Sequence, residues 1–153
     1  MRKAVIADTS CLILLEKIGE LALLNKLYQQ VLITPDIHDE FHDQLPDWIL
    51  VRQPVDKRYQ EKSETTLDRG EASAIALALE LPGCLLIMDD LRGRNHADRL
   101  GIKLTGTLGV IIAAKLNGCI PSVKPLIKKI KATNFRLTPV LEEKILEKAN
   151  EDQ

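Results

Sequence analysis

The sequence predicts an α/β fold, a three-layer α/β/α sandwich with a central parallel sheet of four to five strands. Three observations predict it. Apolar runs such as Ala4-Val5-Ile6-Ala7 and Cys84-Leu85-Leu86-Ile87-Met88 have strand length and no polar alternation, as expected of strands covered on both faces. Segments with helical spacing separate these runs. Gly and Pro stand where those segments should stop, so strands and helices alternate along the chain, the pattern of a sheet wound by crossover helices.

The elements follow in order. Residues 3–7 form a first strand. Helical spacing covers 10–17 and 20–29, where Leu21, Leu24 and Leu27 share a face. Val31-Leu32-Ile33 is a second strand. Thr34-Pro35 then opens a helix that reaches Gln44, because Pro suits a first helical turn. Residues 53–68, QPVDKRYQEKSETTLD, are the least apolar stretch and read as a surface connection with a turn or two of helix. Neither side of it makes a complete core, so residues 1–153 form one domain. GEASAIALALEL, residues 70–81, is a helix of small residues ended by Pro82-Gly83. Residues 84–88 are a third strand, 91–100 a helix closed by Gly101, and 102–104 a fourth strand. Residues 106–117 are a helix stopped by Gly118. From Ser122 onward the chain reads as helix, with Leu137, Leu141, Ile145 and Ala149 on one face.

Composition bounds what the chain can do. Its 153 residues suit one domain that buries roughly 70% of its unfolded surface. Aromatic residues make up only 3%, so the core is built from Leu, Ile, Val and Ala, and base-stacking platforms have little material. A net charge of −1 excludes coating nucleic acid through the overall field, so phosphate contact requires a local patch or a bound cation. Cys11, Cys84 and Cys119 lie in apolar runs without a CxxC, which predicts buried reduced thiols and a cytoplasmic protein. The N-terminal MRKAVIAD is too short to be a signal peptide, and no run approaches the roughly 20 apolar residues of a membrane span.

One sheet edge collects acid. Ligands of open parallel sheets bind at the carboxyl ends of the strands. Asp8 closes the first strand, and Asp89 and Asp90 close the third. Glu40, after the second strand, and Glu71, opening the helix that leads to the third, can reach the same edge under right-handed winding. Singly, each acid has a plainer role: Asp8, Ser10, Asp89 and Asp90 as helix caps, Asp68-x-x-Glu71 as a capping box, and Glu40 as a solvated helix residue. Together, four or five carboxylates at one edge repel one another unless a cation sits among them. Hard oxygen ligands select Mg²⁺ or Mn²⁺. Such a cation makes a nucleophile from water near neutral pH and neutralises charge on a phosphate, so no covalent nucleophile is needed.

Four segments, in order, resemble the motifs of PIN domains. They are ADTSCLILLEKIG, ITPDIHDEF, DRGEASAIALALEL and LLIMDDLRGRNHADRLGIKLTGTLGVI, and the resemblance covers essentially the whole chain. It is closest to a prokaryotic branch with a Gly-Glu third motif, related to type II toxin ribonucleases. The resemblance implies an α/β/α sandwich and a Mg²⁺- or Mn²⁺-dependent ribonuclease that hydrolyses single-stranded RNA. It implies Asp8, Glu40, Glu71 and one of Asp89 or Asp90 as metal ligands, with Asp90 the better match to the closing acid. It implies Thr9 or Ser10 as the group orienting a carboxylate or a water. It brings a small antitoxin protein and a homodimer into the expected partners beside RNA. The third motif carries Glu71 where many toxin ribonucleases of the family carry Asp. That departure sustains an alternative, a PIN-like module that binds RNA or a protein partner without cutting. A receiver or phosphohydrolase domain is a weaker rival, since Asp8-Thr9-Ser10 offers one acid where those use a pair.

Other signals rank lower. Arg92, Arg94 and Arg99 follow the acid pair and read equally as phosphate contacts or as a solvated helix face. Lys124, Lys128, Lys129 and Lys131 read first as a solvated amphipathic helix. His38 and His42 stand one helical turn apart, but Glu40 between them would point the other way, which disfavours a zinc pair.

Overall fold

The computed structural model describes residues 3–41 and 44–152. Among them, β1 (Val5–Ala7), β2 (Val31–Ile33), β3 (Ile49–Val51), β4 (Leu85–Ile87) and β5 (Lys103–Thr105) form one sheet in the order β3-β2-β1-β4-β5. Every pairing is parallel, and Ile6 of β1 lies opposite both Leu32 and Leu86. Ile6, Ile33, Leu86 and Ile87 are completely enclosed, which is why their segments are continuously apolar.

The helices are α1 (Thr9–Lys17), α2 (Ala22–Tyr28), α3 (Pro35–Glu40), α4 (Arg58–Ser63), α5 (Arg69–Leu79), α6 (Leu91–Arg99), α7 (Thr107–Leu116), α8 (Lys124–Lys131) and α9 (Pro139–Lys148). Helix α5 packs on β1, β4, α4 and α6, whereas α7 packs on α1, α2, α9 and β5. The sheet is therefore covered on both faces, as the α/β/α expectation required. The short α3 touches both α1 and α5. No helix among the described residues is long and apolar enough to cross a membrane.

The chain leaves β1 toward β2 and leaves β4 toward β5, so the winding reverses between these two central neighbours. A crevice opens outside their carboxyl ends, the place where such sheets bind ligands. That position is the first thing the fold contributes to function.

Four local expectations change. The strand β3, unread in the sequence, is an edge strand whose Leu50 and Val51 are exposed. Its pairing with β2 fixes it, extended by the Val31 N–H to the Trp48 carbonyl at 3.1 Å and the Arg52 N–H to the Ile33 carbonyl at 2.8 Å. The helix opened by Thr34-Pro35 stops at Glu40, because Phe41 turns extended (φ −93°, ψ 94°) and buries its ring in the core. The C-terminal third divides into α8 and α9, with residues 132–138 between them. Cys119 is only half-buried, while Cys11 and Cys84 are buried free thiols as expected.

Candidate active site

Asp8 ends β1 and occupies the N-cap position of α1, yet its side chain makes no capping hydrogen bond. Only 3% of it is exposed. Its backbone N–H donates to the Ile87 carbonyl at 2.9 Å, which ties the first acid to the end of β4. Burial, then the neighbouring Asp68, Glu40 and Asp89 carboxylates, push its carboxyl up to about 7 against the pull of the Thr9 backbone N–H. The cap expected of Asp8 on plain grounds is therefore not its role.

Glu71 comes from the first turn of α5 and is also buried. Asp68 and Glu71 form the capping box their spacing predicted: Asp68 Oδ1 accepts from the Glu71 N–H at 2.8 Å, and Glu71 Oε1 accepts from the Asp68 N–H at 3.4 Å. The cap does not neutralise Glu71. Burial first, then Asp68, Asp90 and Asp8, push its carboxyl up to about 8.

Glu40 closes α3 and reaches α5 because residue 70 has no side chain: a Cβ on Gly70 would overlap the Glu40 carboxylate. Two buried hydroxyls hold α3 against α5. Thr34 caps α3 by accepting from the Ile37 N–H at 3.2 Å, and its oxygen lies 2.6 Å from Ser73 Oγ, which donates to the Gly70 carbonyl at 2.8 Å. Burial, then Asp68 and Asp36, raise the Glu40 carboxyl.

At the end of β4 the two aspartates divide. Asp90 caps α6, accepting from the Gly93 N–H at 3.1 Å, and stays exposed in a cavity of about 630 Å³ with Thr66, Asp68, Glu71 and Arg92. Asp89 turns to α7, accepting from the Thr107 N–H at 2.8 Å and from its hydroxyl at 2.5 Å. Asp90 thus faces Glu71, and Asp89 faces Asp8 from the other side.

Thr9 is buried beside this group. Its hydroxyl lies near enough to Glu40 to hold that carboxyl down slightly, but no partner falls within hydrogen-bond geometry. Ser10 is exposed. Arg92 lines the acid cavity and donates to the Thr66 carbonyl at 3.2 Å. Arg94 donates to the Met88 carbonyl at 2.9 Å. Arg99 sits in the last turn of α6, about 12 Å of helix from the acid edge, and is not brought to it. His42 of the disfavoured zinc pair lies outside the described residues.

Asp68 is the acid that sequence reasoning placed only as a cap. It presses on Asp8, Glu40 and Glu71 alike, so it belongs to the cluster. The signal was present in Asp68-Arg69-Gly70-Glu71, where a cap precedes a glycine that a distant carboxylate needs.

A family model described as a PIN domain matches residues 4–151. The chain belongs to the PIN-domain family. PIN domains are in general nucleases that use divalent metals. No curated protein and no solved structure matches the chain.

The donor chemistry of this PIN domain suits a hard divalent cation. The clustered side chains are all carboxylates, two of them are buried and hold protons near neutral pH, and an orphaned hydroxyl stands beside them. Among the described residues, however, no three acid, His or Cys side chains stand close enough to form a ready cation cage. Asp68, Asp89 and Asp90 instead spend oxygens on helix N-termini.

Proposed function

We propose that this PIN domain is a Mg²⁺- or Mn²⁺-dependent endoribonuclease that hydrolyses phosphodiester bonds of single-stranded RNA. One observation carries the reading: Asp8 and Glu71, both buried, stand among Glu40, Asp68 and Asp90 at the sheet's switch point, and among the described residues no ion pair reaches any of these five carboxylates. Burying uncompensated carboxylates opposes folding and is retained where a cation or a proton is used. Asp8, Glu40, Glu71 and Asp90 would hold the metal, with Asp89 and Asp68 behind them. The metal, when bound, supplies Lewis acidity to water and phosphate. The chain's own part is to hold acceptors around a water that must lose a proton, to keep Asp8 and Glu71 from bulk solvent, and to present Thr9 as a hydroxyl that orients a carboxylate or that water.

The engagement of three acids in caps supports a second reading, a module that binds RNA or a protein partner without cutting. Calorimetric titration with Mn²⁺, wild type against Asp8→Asn, separates the two. Saturable binding lost in the variant, with cleavage of an unstructured RNA lost in parallel, supports the nuclease. No binding in the millimolar range sinks it. A toxin role with a small antitoxin partner belongs to the same proposal. It requires that expression arrest growth and that Asp8→Asn relieve the arrest.

A further inference from the structure

A second groove, of about 590 Å³, starts at the acid edge and runs away from it along β5, between α7 and α9. Asp89 and Arg94 stand at its head, Leu104 and Phe135 contribute to its apolar lining, and Lys144 and Lys148 line it from α9. Its head is open because residue 106 is glycine: a Cβ there would come within 2.6 Å of Asp89 Oδ1 and 3.4 Å of an Arg94 guanidinium nitrogen.

The two lysines of this groove are not spent in ion pairs. Among the described residues, lysine ion pairs join Lys115 to Glu151, Lys129 to Glu20 and Lys131 to Glu142, and none involves Lys144 or Lys148. Both are exposed, and at i and i+4 their Cβ atoms stand about 6 Å apart on one helix face. That is the scale of the spacing between successive phosphates of an extended strand. Phe135 is only partly covered, so an aromatic side chain of a chain poor in aromatics lines the same groove as these cations. Aromatic rings and spaced cations are what single-stranded nucleic acid requires.

The lysines of α8 do not compete for this role. Lys124, Lys128 and Lys131 surround a different groove with Pro139, Val140 and Glu143, which contains no residue of the sheet edge. A polyanion approaching six carboxylates on a chain of net charge −1 needs cations next to the cut, and the β5 groove is where Arg94, Lys144 and Lys148 supply them.

We infer that the β5–α7–α9 groove binds the nucleotides of single-stranded RNA that flank the bond at the acid edge. Lys144 and Lys148 meet successive phosphates, and Phe135 meets a base. This inference rests on the acid edge being an RNA-cleaving site. Binding of a fluorescein-labelled oligouridylate is measured by anisotropy in Ca²⁺ across a salt series, with cleavage in Mn²⁺ run in parallel. Wild type is compared with Lys144→Gln/Lys148→Gln and with Lys124→Gln/Lys128→Gln. The α9 pair should weaken binding roughly 20-fold at 0.1 M salt and lower the salt slope by about 1.4, two phosphates' worth for a single strand, while the α8 pair changes neither. If wild type cleaves and the α9 pair binds as wild type does, or both pairs weaken binding equally, the groove is not the subsite and the nuclease reading stands. If wild type neither binds nor cleaves the RNA, both fail together. Melting temperatures equal to wild type exclude misfolding, since all four lysines are exposed.

Discussion

A carboxyl that is 97% buried among other carboxyls, as Asp8 is by its 3% exposure, opposes folding whenever it ionises. Asp8 keeps its proton to about pH 7 and Glu71 to about pH 8, each far above its unfolded value. The folded chain therefore binds more protons than the unfolded chain between about pH 4 and pH 8, and stability in chelator must fall as pH rises through that window, then level off. Urea unfolding in EDTA at pH 5 and pH 8 checks the direction. Asp8→Asn keeps the shape and removes the titration, so the fall should shrink and the variant should be more stable than wild type at pH 8 by about 1–3 kcal/mol. An Asn variant that is less stable than wild type at pH 8 would mean that the Asp8 carboxylate is compensated in the fold. The same substitution should remove Mn²⁺ binding, setting stability against function at one residue.

At the scale of elements, the site depends on how closely α3 approaches α5. Gly70 allows it, and the clash that a Cβ would make is with the far end of a flexible glutamate rather than with backbone. Gly70→Ala should therefore cost little stability, or gain up to about 1 kcal/mol from helix propensity, while it displaces the Glu40 carboxylate. Thermal melts and Mn²⁺ titration of the variant should show an unchanged or raised melting temperature with affinity at least tenfold weaker, about 1.4 kcal/mol. Unchanged affinity would remove Glu40 from the metal site. The elements were legible to different degrees for physical reasons. Strands β1, β2, β4 and β5 were readable because the first, second and third apolar runs are buried on both faces and glycines punctuate the fourth. Strand β3 was not, because a three-residue edge strand with two exposed residues takes its identity from its partner. The stop at Glu40 was hidden because Phe41 leaves the helix to fill the core, a tertiary preference that local periodicity does not express. Asp68 was read as a cap correctly and incompletely, since one carboxylate can serve a helix end and a charge cluster together.

For the whole molecule, a net charge of −1 conceals a separation. Acids gather at the carboxyl ends of β1 and β4, while α9 carries the exposed Lys144 and Lys148 into the groove along β5. A ligand that binds only the folded chain stabilises it by mass action, and on the proposed function a divalent cation at the acid edge would do so by relieving the repulsion that the bare fold sustains. At a Mn²⁺ concentration about 100 times its dissociation constant the gain is about 2.7 kcal/mol, which for a domain of this size raises the melting temperature by about 5–10 °C. Because the cation competes with protons on Asp8 and Glu71, the gain should be larger at pH 8 than at pH 6. Differential scanning fluorimetry of wild type and Asp8→Asn, each with EDTA or Mn²⁺ at both pH values, reads all of this at once. A shift present in wild type, growing with pH and absent in the variant, ties the stability of the whole fold to a cation at its acid edge. A shift that persists in Asp8→Asn would place the cation elsewhere on the molecule, and the converging carboxylates would then be helix caps that the fold tolerates.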